Sequence, residues 1–239
     1  MPNTSNQTTP KSALIFGAGS GLSAALARRF AQEGLKVGLV ARQPAKLDAL
    51  ARSVDALSLQ GDVSEPGDVA RVFAEFDARH GAPAIVVFNP SYRVRGPIAE
   101  IDPAEVRKSV EISAFGGFLV GQQAAIRMLR AGHGTILFTG ASASVKGYAQ
   151  SASFAMGKFA LRGLAQSMAR ELAPRNIHVA HFVIDGGIRN EARGRAETAD
   201  APDGLLDPAA IADSYWHVAR QPRSAWTWEM ELRPYVEKF

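Results

Sequence analysis

Six short apolar runs alternate along this chain with longer segments of helical periodicity, and this alternation constrains the fold more than any other feature. The apolar runs span 13–16, 37–40, 56–59, 84–88, 135–138 and 177–184, and the helix-like segments span 22–33, 44–53, 66–80, 103–131 and 150–173. Strands that alternate with helices form a parallel sheet covered on both faces. A seventh strand is expected within 221–234. We therefore predict an α/β fold, with one doubly wound domain and a mostly parallel seven-stranded sheet over residues 11–239.

Composition excludes several classes of function. The chain has no cysteine, so disulfides, zinc–thiolate sites and thiol nucleophiles are excluded, and we expect a cytoplasmic location. No run of about 18 apolar residues occurs, so we expect no membrane span. The net charge of +4 comes from arginines scattered along the chain, whereas a nucleic-acid surface needs clustered cations. The polar segment 1–10 is predicted to be a disordered leader.

A glycine-rich turn follows the first predicted strand. Gly17, Gly19, Ser20 and Gly21 lead into a helix that begins near Leu22. Glycine lets the backbone turn sharply and approach a pyrophosphate, and the start of a helix offers free N–H groups and a partial positive charge. A glycine turn between the first strand and the first helix of an alternating pattern predicts dinucleotide binding.

The choice between the two nicotinamide dinucleotides depends on the end of the second strand. A carboxylate there binds the ribose 2′-hydroxyl of NAD, whereas an arginine accommodates the 2′-phosphate of NADP. The chain reads Val40-Ala41-Arg42, with no carboxylate before Asp48. We favour NADP(H); the alternative is that Arg42 is a solvated residue at the start of the next helix.

Several motifs together resemble the short-chain dehydrogenase/reductase family. Gly17 and Gly21 match its Gly-x-x-x-Gly-x-Gly pattern, Ser23 stands at the third glycine and is small enough for binding to persist, and Lys158 matches the lysine of the active-site helix. The resemblance implies a Rossmann-type fold and an oxidoreductase acting on a small molecule. It also implies that cofactor is bound by Gly17, Gly19, Ser20, Gly21, Leu22, Arg42, Asp62, Val63, Asn89, Lys158 and Ile188.

The same resemblance exposes a departure at the active site. The family places its catalytic tyrosine four residues before the lysine, and here that position is Phe154, which has no proton to give. The family's serine position falls on Ala141, with Ser142 one residue away, and its asparagine position falls on Ser113. We therefore name Lys158, Ser142, Tyr148 and Phe154 as the catalytic region. Ser142 and Tyr148 are the candidates that could contact a substrate oxygen.

Two features extend this interpretation. The segment 186–206 has no clear periodicity, and we interpret it either as a lid over the substrate or as an ordinary flexible insertion. The resemblance implies a homodimer or homotetramer formed through the helices at 103–131 and 150–173, where small residues permit close approach. No metal-ligand spacing stands out, so no metal site is predicted.

Two functions remain open from the sequence. The first is an NADP(H)-dependent oxidoreductase that acts on a small carbonyl compound, alcohol or activated alkene by a mechanism without the usual tyrosine. The second is an NADP(H)-binding protein without turnover, serving as a sensor or an assembly subunit. Survival of the glycine turn together with Phe154 in place of tyrosine is compatible with both.

Overall fold

The computed structural model describes residues 10–238, and its strands form one seven-stranded sheet. The strands are β1 (Ser12–Phe16), β2 (Lys36–Ala41), β3 (Leu57–Gln60), β4 (Ile85–Phe88), β5 (Gly134–Thr139), β6 (Ile177–Ile184) and β7 (Glu229–Leu232). Their order is β3-β2-β1-β4-β5-β6-β7, and every neighbouring pair is parallel. The predicted doubly wound α/β fold is confirmed, with an all-parallel sheet. The predicted leader at 1–10 lies outside the described residues except for Pro10.

Helices connect the strands on both faces of the sheet. They are α1 (Leu22–Gln32), α2 (Asp48–Ser53), α3 (Pro66–His80), α4 (Pro103–Val110), α5 (Gly116–Ala131), α6 (Ala152–Leu172) and α7 (Pro208–Ala219). α4 and α7 each begin with an aspartate cap followed by proline, and both capping carboxylates accept a backbone N–H. This arrangement fixes the first turn of a helix. Within the described residues, no helix is both long and apolar enough to cross a membrane.

Two predicted helices are interrupted. The helix predicted over 103–131 is divided by a π-helical turn, Glu111–Phe115, and the helix predicted over 44–53 begins as a 3₁₀ turn, Pro44–Leu47. A π turn adds a residue to a helix and frequently occurs at functional sites. Here it contains the buried Ser113, whose hydroxyl accepts the N–H of Tyr92 at 3.5 Å. Hydrophobic periodicity does not reveal a single added residue, so the sequence predicted one continuous helix.

Alternate residues of the central strand pack into two separate hydrophobic clusters. Ile15 faces α1 and α7, where it joins Phe30 and Tyr215 in one core. Phe16 faces α3, α5 and α6 on the other side, and its ring lies 5.4 Å from that of Phe73. Because both faces of β1 are fully buried, the strand reads as a continuous apolar run. The two cores hold β1 in place, and the candidate site lies beyond its C-terminal end.

Candidate active site

The turn between β1 and α1, residues 17–21, has a conformation that requires glycine at its first position. Gly17 has a φ of +77°, and a Cβ atom there would lie 2.7 Å from the backbone nitrogen of Pro90. The N–H groups of Gly17 and Ala18 both donate to the carbonyl of Val40, at 3.1 and 2.9 Å. The turn therefore lies against the ends of β2 and β4, and the N–H groups at the start of α1 point toward a possible anionic ligand.

Ser23 braces this turn through hydrogen bonds. Its hydroxyl donates to the carbonyl of Gly17 at 2.9 Å and accepts the side-chain amide of Asn89 at 2.7 Å. The N–H of Asn89 donates in turn to the carbonyl of Phe16 at 3.1 Å. Sequence alone predicts only that Ser23 is small enough to be tolerated. The structure shows that it joins the glycine turn to the residue after β4.

A cavity of about 860 Å³ lies over the turn, along the C-terminal ends of β3, β2, β1 and β4. The strand order reverses between β1 and β4, and ligands of this type of sheet bind at such a reversal. Ten of the eleven residues predicted to bind cofactor line the cavity: Gly17, Gly19, Ser20, Gly21, Leu22, Arg42, Asp62, Val63, Asn89 and Ile188. The exception is Lys158. The structure therefore brings ten of these predicted residues to one place.

The segment 186–206 supplies part of the cavity wall. Its two ends are paired through Ile188 and Leu206, so the segment forms a closed excursion from the sheet. Inside it, the side-chain amide of Asn190 lies 3.4 Å from the hydroxyl of Ser20 in the glycine turn. The aperiodic segment thus packs directly against the turn.

Four cationic side chains line the cavity together with one carboxylate. Arg42 and Lys46 follow β2, Arg193 and Arg195 belong to the segment 186–206, and all four are exposed. The carboxylate of Asp62 is engaged in its own turn, where it accepts two hydrogen bonds at 3.0 and 2.7 Å. Among these lining residues positive charge is in excess, which favours an anionic ligand.

Sequence reasoning misses four of the polar residues that line the cavity: Lys46, Asn190, Arg193 and Arg195. Lys46 falls four residues after Arg42 in a stretch predicted to be helical, which is a spacing that could have suggested a second cation beside the first. The other three lie in a segment without periodicity. Their proximity to the glycine turn depends on a tertiary contact that no local pattern records.

Lys158 lies behind the cavity in a buried position. Its side chain is 3% exposed, and its ammonium donates to the carbonyl of Thr139, the last residue of β5, at 2.7 Å. The ring of Phe154 lies 5.8 Å away. Burial lowers the pKa of Lys158 to about 8 because the charged form loses its hydration.

The other predicted catalytic residues follow β5 but do not line the cavity. Ser142 begins a short 3₁₀ turn that packs against α6, and among the described residues its hydroxyl makes no hydrogen bond. The ring of Tyr148 is half exposed and lies 5.6 Å from the ammonium of Lys146. A hydrogen bond with Tyr148 and the charge of Asp185 raise the pKa of Lys146. Tyr148 therefore has a cation beside it. Phe154 stands in the first turn of α6.

The two histidines of β6 occupy structural positions beneath this region. The imidazole of His181 is fully buried and lies 2.9 Å from a carboxylate oxygen of Glu229, which also forms a two-point ion pair with Arg162 at 2.6 and 2.8 Å. Burial lowers the pKa of His181 to about 4, so the ring is neutral at pH 7. His178 stacks on Trp226 with ring centres 4.7 Å apart.

Comparison with known proteins bears on the family of this chain. Residues 11–199 match the profile described as short chain dehydrogenase. The oxidoreductase asL5 of Sarocladium schorii is 30% identical over 173 residues, which cover 72% of this chain and 70% of that protein. A solved short-chain dehydrogenase from Rhodopseudomonas palustris is 38% identical with a TM-score of 0.81, covering 94% of this chain and 99% of that one. A metagenomic short-chain oxidoreductase in complex with NADP is 26% identical with a TM-score of 0.80, covering 95% and 98%.

Proposed function

The chain belongs to the short-chain dehydrogenase family, and from that membership we propose that it is an NADP(H)-dependent oxidoreductase acting on a small carbonyl compound, alcohol or activated alkene. The observation that carries the proposal is the cavity over the glycine turn, whose lining contains four cations and one carboxylate. A cavity of about 860 Å³ has the size of a small-molecule or cofactor site. A cofactor with several phosphates matches its excess of positive charge.

The preference for NADP(H) rests on the residues after β2. Arg42 and Lys46 both line the cavity there and are exposed, and no acidic residue lies among the lining residues of 40–47. A guanidinium offers a fixed fork of donors to a phosphate, and the nearby ammonium adds a second charge. These two side chains would bind the 2′-phosphate that distinguishes NADP from NAD.

The pyrophosphate would lie between the glycine turn and the segment 186–206. A Cβ atom at Gly21 would come within 2.9 Å of the side-chain amide of Asn190, so Asn190 packs directly against the glycine turn. Arg193 is aimed at the same place, since its guanidinium lies 4.0 Å from the Cβ position of Gly19. We propose that 186–206 is the lid of this site and that Asn190 and Arg193 contact the phosphates of the bound cofactor.

The proton chemistry follows from the position of Phe154. The bound nicotinamide supplies or accepts the hydride. We propose that Phe154 stands where the family has its tyrosine, so the phenol that would donate a proton is absent. The hydroxyl of Ser142 or Tyr148 would hydrogen-bond the substrate oxygen, and water would complete the proton transfer. Lys158 donates one N–H to Thr139 and has further N–H groups for the ribose hydroxyls.

We also propose that the protein is a homodimer or homotetramer. Large apolar side chains are exposed on the π turn, α5 and α6: Phe115 at 45%, Phe118 at 42%, Met156 at 54% and Phe159 at 46%. The rings of Phe115 and Phe118 stack at 6.3 Å. Exposed apolar side chains grouped on neighbouring helices are typical of a subunit contact.

Titration of the protein with NADPH and NADH tests the cofactor assignment. We expect NADPH to bind at least about tenfold more tightly, because a charge-assisted hydrogen bond contributes about 1.5–3 kcal/mol. Arg42→Ala and Lys46→Ala should each reduce this ratio. Arg79 is exposed in the last turn of α3, away from the cavity, so Arg79→Ala removes the same charge and should leave the affinity ratio unchanged. Equal affinity for both dinucleotides would contradict the preference.

Oxidation of NADPH across a panel of ketones, aldehydes, quinones and enones tests the activity. Substrate-dependent loss of NADPH absorbance is the expected result, and Ser142→Ala and Tyr148→Phe then identify the group that contacts the substrate oxygen. Gly21→Asp should abolish cofactor binding because it places a carboxylate in the phosphate cradle. Tight NADPH binding without oxidation of any class would favour the binding protein over the enzyme.

A further inference from the structure

Arg93 lies over the ring that replaces the expected phenol. Its guanidinium carbon is 5.0 Å from the centre of the Phe154 ring, and the ammonium of Lys158 is 5.8 Å from the same centre. A cation within about 6 Å of a ring centre is attracted by the ring. Phe154 therefore keeps an arginine at the place where substrate chemistry is expected.

The backbone on both sides of Arg93 is anchored to neighbouring helices. The carbonyl of Tyr92 accepts the hydroxyl of Ser109 in α4 at 2.8 Å, and the carbonyl of Val94 accepts the hydroxyl of Ser153 in α6 at 2.8 Å. Both serines are fully buried, so these bonds are shielded from water. The position of the Arg93 Cα atom is thereby fixed, and its side chain begins from a rigid support.

The segment from Tyr92 to Gly96 presents two arginines on one side. Tyr92, Val94 and Gly96 are half-buried, whereas Arg93 and Arg95 between them are exposed. In an extended chain, residues two apart point in the same direction. Partial burial and the positive charge of Arg95 together lower the pKa of Arg93. The charge of Arg95 therefore disfavours the charged form of Arg93.

Neither arginine has an acidic partner. Within residues 10–238, Arg93 and Arg95 form no hydrogen bond and no ion pair, whereas Arg127 and Arg162 are each paired with a carboxylate. Two adjacent cations that repel each other are stabilised by an anion placed between them. Ser91 and Tyr92 line the cavity, so the arginine pair directly follows the part of the cavity wall after β4, and Arg93 extends from there over the ring of Phe154.

We propose that Arg93 and Arg95 form an anion subsite beside Phe154 and that the substrate is a carbonyl compound or alcohol that carries a carboxylate. The proposal rests on the oxidoreductase function proposed above and names the class of its substrate. A carboxylate is planar and accepts the parallel donors of a guanidinium, so it would bind at the edge of the Arg93 guanidinium that carries those donors. The phenyl group of Phe154 then contributes to binding by holding Arg93 in place.

Paired substrates test the subsite by kinetics. Each pair consists of a keto acid and its methyl ester, with the carboxyl group one to four carbons from the ketone, and NADPH oxidation is followed for both. We expect a higher kcat/KM for the acid in the wild type. Arg93→Ala should lower the ratio of the two kcat/KM values, acid over ester, by about tenfold to a hundredfold, the range for one hydrogen bond between charged groups. Arg93→Lys should retain part of the preference.

Binding measurements separate this proposal from the proposed activity. Calorimetry with benzoate and with its neutral analogue benzamide, with and without NADPH, reports on the anion subsite whether or not turnover occurs. Benzoate should bind more tightly than benzamide, and Arg93→Ala and Arg95→Ala should remove the difference while Arg79→Ala keeps it. Turnover with equal kcat/KM for acids and esters would overturn the subsite and leave the oxidoreductase intact. Arginine-dependent benzoate binding without any turnover would support the subsite and contradict the oxidoreductase.

Discussion

Replacing Lys158 by methionine should make the folded protein more stable at pH 7 while impairing its function. The ammonium is 3% exposed and its pKa is lowered to about 8, against an ordinary value of 10.5. At about 1.4 kcal/mol per pH unit, this difference means that holding the charged amine in the fold costs about 3 kcal/mol at pH 7. Methionine loses the charge-assisted hydrogen bond to Thr139, worth about 1.5–3 kcal/mol, so the net gain is at most about 1.5 kcal/mol.

The pH dependence of this gain follows from the direction of the pKa change. Between about pH 8 and 10.5 the unfolded chain still binds a proton at Lys158 that the folded protein has released, so the stability of the wild type rises with pH in that interval. The methionine variant has no such group. Its stability relative to the wild type should therefore fall by about 2 kcal/mol between pH 7 and pH 9.5.

Urea unfolding of both proteins at pH 7, 8, 9 and 9.5, at one protein concentration, measures this change. Lys11→Met is the matched control because Lys11 is exposed, and its difference from the wild type should stay constant with pH. A Lys158→Met difference that is the same at pH 7 and pH 9.5 would falsify the reasoning, since it would mean that the folded protein does not hold a desolvated charge there. A fall in NADPH-dependent activity in the same variant would show that the destabilising charge is retained for function.

Three further outcomes can be measured. Gly17→Ala should lower the free energy of unfolding by about 2–5 kcal/mol, because the added methyl group meets Pro90 and the backbone is left-handed there. Gly34→Ala has a similar φ but open space around it, so it should lose only about 1–2 kcal/mol. Equal losses in urea unfolding would contradict the close approach of Gly17 to Pro90. The pKa of His181 is lowered to about 4, so stability should fall as pH decreases from 6.5 toward 4, and the His181→Asn variant should show a weaker decrease; parallel curves for the two proteins would argue against a neutral buried ring. Phe154→Tyr should raise carbonyl reduction by up to about 10²–10⁴-fold if a proton donor is what the site lacks, and an unchanged rate would mean that another group already donates the proton.

The strands were predictable because a strand buried on both faces has apolar residues at consecutive positions. β1 and β4 read as unbroken apolar runs, and the first turn of α3 begins at the predicted residue, Pro66. The π turn at Glu111–Phe115 produces no such pattern in the sequence. Its added residue turns Ser113 toward Tyr92, a contact between segments 21 residues apart. Local periodicity carries no information about that contact.

The site divides in the same way. The glycine turn was predictable because backbone geometry between a strand and a helix constrains residue type locally, whereas Asn89 was named from the family resemblance. Asn190 and Arg193 were not, because their place beside Ser20 depends on how the segment 186–206 folds back over the sheet. Lys158 was named from the family resemblance as the lysine of the active-site helix, and the structure adds that its ammonium is buried and does not line the cavity.

The sequence by itself determined the alternation of strands and helices, the glycine turn and the place of Phe154 on its helix, because each depends on residues near one another in the chain. Only the tertiary structure decided which charged side chains meet in the cavity and which charged group is buried away from water. It brings Arg193 to the glycine turn, sets Arg93 over Phe154 and buries the ammonium of Lys158 against Thr139. The energies of those charges depend on distance and desolvation, which are properties of the packed fold.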